Sequence, residues 1–411
     1  MPVVTGLAIS ANTNLRAAIN EAGTAAREGC PKPAFVLAFI THNYPKAELA
    51  QAAQDLAELF PGAQTAGGQV NGITYADERY DAVFANRHAV AVIAFGGDGV
   101  RGIVALADNS ITDPREMGRA LARDALQQLG TEPVGGVFLG IGISQIPPVD
   151  QTVLDGIRDV APRLRLTGTG FCGGMQMDGS YNPGSAFLGR TLVEKGVIMA
   201  VLGGDVRLGF GAANGMVSTG QGSFVTNAYG PVIAELGGRP AKDVVLDLLT
   251  ADDPGSREMF EKNPQVMGVE KGITLGAPDP EGDFFWCHPP AAFTPDGGVL
   301  DLFSPKMGVG LAVTRITGES CMGAVEAAAE MVRQDAASDR FEFTLSFSCA
   351  LRGFTLGATA AKEDAELRRH VQSRNHLGIV ANGEIGCYRH GRPMFTCWIF
   401  ALMGAAEHAD G

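Results

Sequence analysis

The chain has 411 residues, 45% of them hydrophobic, and a formal net charge of −13. That length accommodates two or three ordinary domains with a sizeable core, and the hydrophobic share sets the chain apart from disordered sequences. The acidic balance, with no cluster of Lys and Arg to offset it, leaves nucleic acid and anionic membrane outside the expected partners.

In chain order, residues 3–9 (VVTGLAI) read as a strand, and 12–28 as a helix with Asn12 or Asn14 at its cap. Residues 34–40 (AFVLAFI) form an unbroken apolar run of strand length, as expected of a strand buried on both faces. Leu49, Ala52, Ala53, Leu56 and Leu59 recur at helical spacing within 46–60. Pro61-Gly62 stops that helix, and 63–66 leads into a turn at Gly67-Gly68. Residues 89–95 read as another buried strand, ending at Gly96-Gly97-Asp98-Gly99. The order then recurs: a strand at 137–143, a helix at 150–160, a turn at Gly168-Thr169-Gly170, and a strand at 196–202 ending at Gly203-Gly204-Asp205. Gly67 matches Gly168 and Asp98 matches Asp205 at offsets of roughly 100 residues, far beyond solenoid periods. An internal duplication is therefore expected, with repeats at about 1–112 and 133–225 and a loop insertion within 171–190.

Residues 226–252 read as a connector of two helices: 229–236 capped by Asn227, and 241–249 with Pro240 in its first turn. Residues 251–258 read as a loop. Short strands follow at 273–275, 283–287, 299–303 and 309–316, then a helix at 320–334 with Ala324, Ala327, Ala328 and Met331 on one face. The stretch 344–400 reads strand, helix, strand, strand, with its helix within 360–376, and 405–411 reads as a frayed polar tail. The expected fold is α/β to α+β: a duplicated α/β body over 1–225, the connector, and a mixed-sheet C-terminal domain over 253–405.

The chemistry gathers in that last stretch. Cys349 ends one strand (TLSFSC); it reads either as a nucleophile or metal ligand, should a cation lower its pKa, or as a small core residue. Arg352 supplies a guanidinium fork suited to a carboxylate, or an internal partner for Glu384. Glu384 follows Gly383, which permits positive φ or close backbone approach, and can accept an ammonium group. Together Arg352 and Glu384 would suit a zwitterion. Asp98 and Asp205 are explained by turn formation, and the glycine turns lack GxGxxG spacing and a P-loop lysine, so nucleotide is not expected. His42, His288, His376 and His390 are the candidate axial ligands for haem, each equally readable as a structural histidine. Neither a GxSxG elbow nor an HExxH motif occurs. Seven cysteines, at 30, 172, 287, 321, 349, 387 and 397, form no CxxC pair. Neither a disulfide framework nor a finger-type zinc site is expected, no metal ligands are assigned, and a reduced, cytoplasmic compartment fits. MPVVTGLAIS lacks the basic and apolar regions of a signal peptide, and no apolar run nears the ~20 residues that span a bilayer.

Several segments, in order, resemble the FIST sensory domain family. LFPGAQTAGGQVNG at 59–72 and LRLTGTGF at 164–171 are similar to its paired glycine-rich segments. FVTNAYGPVIAELGGRPAKDVVLDLL at 224–249 is similar to its connector. FSCALRG at 347–353, GIVANGEI at 378–385 and the strand carrying Thr396 resemble the motifs of its C-terminal part. The likeness spans roughly 5–403. It implies a sensory module for a small polar metabolite such as an amino acid or carboxylate, acting through a separate signal-transduction partner. Arg352, Glu384, Cys349, Gly383 and Thr396 are its implied ligand-facing residues. An enzyme on a small carboxylate or polar substrate, using Cys349, Arg352 and Glu384, and a haem-based nitric-oxide sensor remain the alternatives. Two departures point to a ligand unlike that of other members: the longer, more polar GQVNGITYAD at 68–77, and Cys287-His288-Pro289 where a basic residue is usual.

Overall fold

The computed structural model describes residues 3–83, 85–108, 110–141, 150–175, 181–265, 267–280, 284–301, 303, 306–388 and 391–407. Residues 142–143 and 283 and 302 of expected strands, 176–180 of the expected insertion, His390, and 408–411 of the expected tail lie outside the described residues.

The first unit comprises β1 (Val4–Ser10), α1 (Leu15–Gly29), β2 (Pro33–Thr41), α2 (Leu49–Leu59), β3 (Gln64–Val70), β4 (Gly72–Tyr75), β5 (Glu78–Asp81) and β6 (Val90–Gly96). Asn14 caps α1 by accepting from the Ala17 amide, and Leu15, Ala18, Ile19, Ala22 and Ala26 bury its inner face. The central strands lie in the order β1-β6-β2-β3, with β2 and β3 parallel. The second unit comprises β7 (Val100–Asp108), α3 (Pro114–Leu129), β8 (Pro133–Ile141), α4 (Asp150–Val160), β9 (Leu166–Met175), β10 (Tyr181–Pro183), β11 (Ala186–Leu188), β12 (Thr191–Val193) and β13 (Gly196–Gly204). Its order β7-β13-β8-β9, with β8 and β9 parallel, has the same succession of elements and pairings. β7 and α3 stand in this order where β1 and α1 stand in the first.

Gly67-Gly68 and Gly168-Gly170 are not turns; they lie inside β3 and β9. A Cβ on Gly68 would sit 2.6 Å from the Phe171 ring, and one on Gly168 would sit 1.8 Å from the Phe138 carbonyl oxygen. These glycines admit close neighbours within a sheet rather than reverse the chain.

The remainder comprises β14 (Leu208–Ala213), β15 (Val217–Tyr229), β16 (Val232–Leu236), β17 (Arg239–Pro240), α5 (Ala241–Leu249), α6 (Arg257–Lys262), β18 (Ile273–Pro278), β19 (Phe285–His288), β20 (Pro290–Phe293), β21 (Val299–Asp301) and β22 (Gly310–Arg315). It closes with α7 (Gly318–Ala336), β23 (Arg340–Cys349), α8 (Ala350–Leu356), α9 (Glu363–His370), β24 (Gln372–Cys387), β25 (Pro393–Thr396) and β26 (Phe400–Ala406). The helix expected at 229–236 is instead a hairpin between β15 and β16: Gly230 at φ +54° reverses the chain, and β-branched Val232 and Ile233 continue as strand. The loop expected at 251–258 contains a 3-10 turn and the start of α6. The buried stripe of α7 runs through Cys321, Ala324, Val325, Ala328, Ala329 and Val332, not through Ala327 and Met331. The strand expected at 395–400 breaks at Cys397-Trp398. Ala405 and Ala406, expected in a frayed tail, are buried in β26 between β14 and β23.

Helices packed on mixed sheets make this an α/β to α+β architecture. β24 pairs with β23 in parallel and with β9 antiparallel, so one sheet runs β14-β26-β23-β24-β9-β8-β13-β7 without interruption. The C-terminal strands thus share a sheet with the second N-terminal unit. Among the described residues no helix is long and apolar enough to cross a membrane.

Candidate functional site

The site forms where β24 leaves β23 for its pairing with β9 and β25. Gly383 has φ +69°, and the register of β24 against β9 shifts across it, from Asn382 opposite Gly170 to Glu384 opposite Thr169. A side chain at this φ would be strained, so glycine is what allows the shift. On one side of the shift, the Asn382 side chain accepts from Asn71 at 3.2 Å. On the other, Glu384 stands in register with Thr396 of β25.

Glu384 is fully buried, and neither carboxyl oxygen has a hydrogen-bond partner. The Thr396 hydroxyl and the Trp398 indole N–H, on the same hairpin and the residues that follow it, are likewise buried without partners. The Cys349 thiol lies beside the carboxyl without reaching hydrogen-bond geometry. Loss of water pushes the Glu384 pKa up to about 8, a shift that Cys349, Arg352 and the nearby amides of Glu384 and Gly383 only partly offset. At neutral pH the carboxyl is therefore mostly protonated. Burial also pushes the thiols of Cys349, Cys397 and Cys287 well above the ordinary range, reinforced by the negative charge that Glu384 would carry. Cys287, Cys397 and Trp398 pack in one apolar cluster with Met216, Ile316 and Leu356. Protonated thiols of this kind are poor nucleophiles.

Arg352 lies elsewhere than a ligand clamp requires. It is fully buried on α8, and Nε and Nη2 donate to Glu363 Oε1 at 2.8 and 2.6 Å. Nη2 also donates to the Cys321 carbonyl at 2.8 Å, and Nη1 to the Trp398 carbonyl at 3.4 Å. Ser348 donates to the other Glu363 oxygen at 2.7 Å. The internal partner of Arg352 is thus Glu363, not Glu384. Its bond to Trp398 holds a residue at φ +58°, a conformation that bulky side chains rarely adopt. Glu363 was not singled out in the sequence because it opens a charged run, EDAELRRH, that has the look of a solvated helix. Trp398 and Cys397 lay within a run that read simply as strand.

Of the candidate haem ligands, His376 uses both ring nitrogens, Nδ1 with Thr344 at 2.9 Å and Nε2 with Asp364 at 3.2 Å. His288 engages Asp301 through Nδ1 at 3.1 Å, which leaves Nε2. Among the described residues no group of three or more His, Cys, Asp or Glu side chains could hold a metal ion. Asp98 and Asp205 sit exposed on turns, where the Asp205 amide donates to the Gly99 carbonyl.

The model of one protein family, the FIST N domain, matches residues 34–239, half of the chain. The chain belongs to the FIST family. FIST domains are small-ligand sensory domains. No curated protein matches the chain. The FIST N match includes β9, the strand against which β24 makes its register shift, and ends before the hairpin that carries Glu384.

Proposed function

We propose that this FIST protein senses a small zwitterion or carboxylate, such as an amino acid, at the Glu384 hairpin, and reports occupancy to a separate signalling partner. The observation that carries this reading is the group of buried polar atoms without partners: both Glu384 oxygens, the Thr396 hydroxyl and the Trp398 indole N–H. Buried polar groups are otherwise nearly always paired, so these unpaired atoms support the reading of a ligand site here. The ammonium end of the ligand meets Glu384, and its carboxylate accepts from Thr396 and Trp398. Arg352 contributes as a positioning residue, holding Trp398 through its carbonyl, and Gly383 sets the aim of Glu384.

Bringing an ammonium to a carboxyl that is neutral in the free protein displaces the carboxyl proton. Ligand binding therefore creates a buried ion pair on the strand that joins the C-terminal part to β9. Thermal-shift screening with amino acids and small carboxylates tests the proposal. A stabilising amino acid whose effect disappears in Glu384→Gln, with the apo fold intact by circular dichroism, is the expected result. Equal stabilisation of the variant, or none of the wild type, would overturn it.

A further inference from the structure

His42 and Asn71 stand side by side just past the carboxyl ends of two parallel strands. β2 and β3 pair in register as far as Thr41 and Val70, and the His42 amide continues the ladder by donating to the Val70 carbonyl at 3.0 Å. In open α/β sheets this edge is where ligands are taken. Asn71 is fully buried; its Nδ2 donates to Asn382, and its Oδ1 has no partner. His42 Nε2 is also buried with no partner. From β9, Gly174 closes on the imidazole: a Cβ there would lie 2.9 Å from the ring. Burial lowers the His42 pKa, an effect that its own carbonyl and the Asp81 carboxylate, itself held by Arg79 at 2.9 Å, only partly offset.

Asn71 Oδ1 is an acceptor, and His42 Nε2 is one in the tautomer that carries its proton on Nδ1. Asn71 Nδ2 already donates to Asn382, so the two atoms without partners call for donors from a ligand. A planar nitrogen group brings donors alone. We infer that His42 Nε2 and Asn71 Oδ1 form a second recognition site, distinct from the Glu384 hairpin, for a small ligand that presents paired N–H donors, of the amide or amidine class. The neighbouring Asp81 carboxylate favours the charged amidine.

The experiment is a titration of the full-length protein, with histidine ring nitrogens labelled, by acetamidine and separately by acetamide. The His42 Nε2 resonance is assigned by its loss in His42→Gln. A saturable shift of that resonance is expected, stronger with acetamidine, retained in Glu384→Gln and weakened roughly tenfold or more in Asn71→Ser. Retention in Glu384→Gln separates this site from the one proposed above. Should Asn71→Ser fail to fold, thermal stabilisation by acetamidine, present in the wild type and lost in His42→Gln, serves the same purpose. Absence of a saturable shift with either probe, or a shift common to all seven histidines, would overturn the inference. Such a result would leave water as the partner of these atoms.

Discussion

Replacing Glu384 by Gln removes a titration that the fold makes costly. The carboxyl is fully buried, neither oxygen is bonded, and its pKa is pushed up to about 8, from about 4.3 in an unfolded chain. Because the folded value lies above the unfolded one, the folded state holds the extra proton between them. The sign follows: stability is greatest below about pH 4.3 and falls as pH rises toward 8. At about 1.4 kcal/mol per pH unit, the whole span is worth about 5 kcal/mol, with roughly 3 to 4 already lost at pH 7. Gln cannot titrate, so the variant lacks this slope. Its unpaired amide shifts its stability by a constant, which makes the slope and not the offset the quantity to read. Urea unfolding of both proteins from pH 5 to 9, with the m-value checked for constancy, gives the difference in ΔG at each pH. The expected result is a difference that moves by several kcal/mol in favour of the variant and levels off above pH 8. Parallel stability curves across that range would refute the reasoning, since they would mean that Glu384 is ionised or solvated in the folded protein.

Three further outcomes follow. If an ammonium ligand displaces the Glu384 proton, its affinity should rise by up to about tenfold per pH unit between pH 6 and 8, and calorimetric heats should vary with the ionisation heat of the buffer; a flat affinity would exclude proton displacement. Arg352→Ala strands the buried Glu363 carboxylate, at a cost of about 3–5 kcal/mol, whereas joint replacement by Met at 352 and Gln at 363 should recover most of that loss in urea unfolding. Cys349 is buried and its thiol held protonated, so alkylation by iodoacetamide at neutral pH should track global unfolding; rapid stoichiometric reaction in the folded protein would reopen the nucleophile reading.

How much was legible in the sequence depended on whether the deciding contact was local. The apolar run at 34–40 and the helical spacing at 49–59 carry their own signal, and both elements stand where periodicity put them. Gly67-Gly68 misled because a glycine that bends the chain and a glycine that makes room for a ring are the same letter. Phe187 against Gly67 and Phe171 against Gly68, each about a hundred residues on and in another strand, decide between them. The hairpin at 229–236 was missed for a similar reason: VIAEL fits either period, and its partner strand lies upstream. Gly383, Glu384, Thr396 and Cys349 stand out in the sequence as candidates because strand ends present polar groups, and the structure brings Glu384, Thr396 and Cys349 together. The partner of Arg352 does not stand out, since it arrives from the start of α9, folded back over the end of β23.

The register shift at Gly383 ties these observations to a sensory role. A single strand, β24, carries Asn382 toward the first N-terminal unit, Glu384 toward Thr396 and the Cys349 thiol, and backbone pairing to β9 of the second unit. A ligand that ionises Glu384 places a charge in the middle of that strand, where the surroundings are set up for a neutral group. The proposed ion pair would then be accommodated by β9, by the Trp398 turn, or by both. A ligand shifts a protein between states only by the difference in its affinity for them. In the proposed reading that difference has an identifiable source: the cost of ionising Glu384, offset when an ammonium group stands against it.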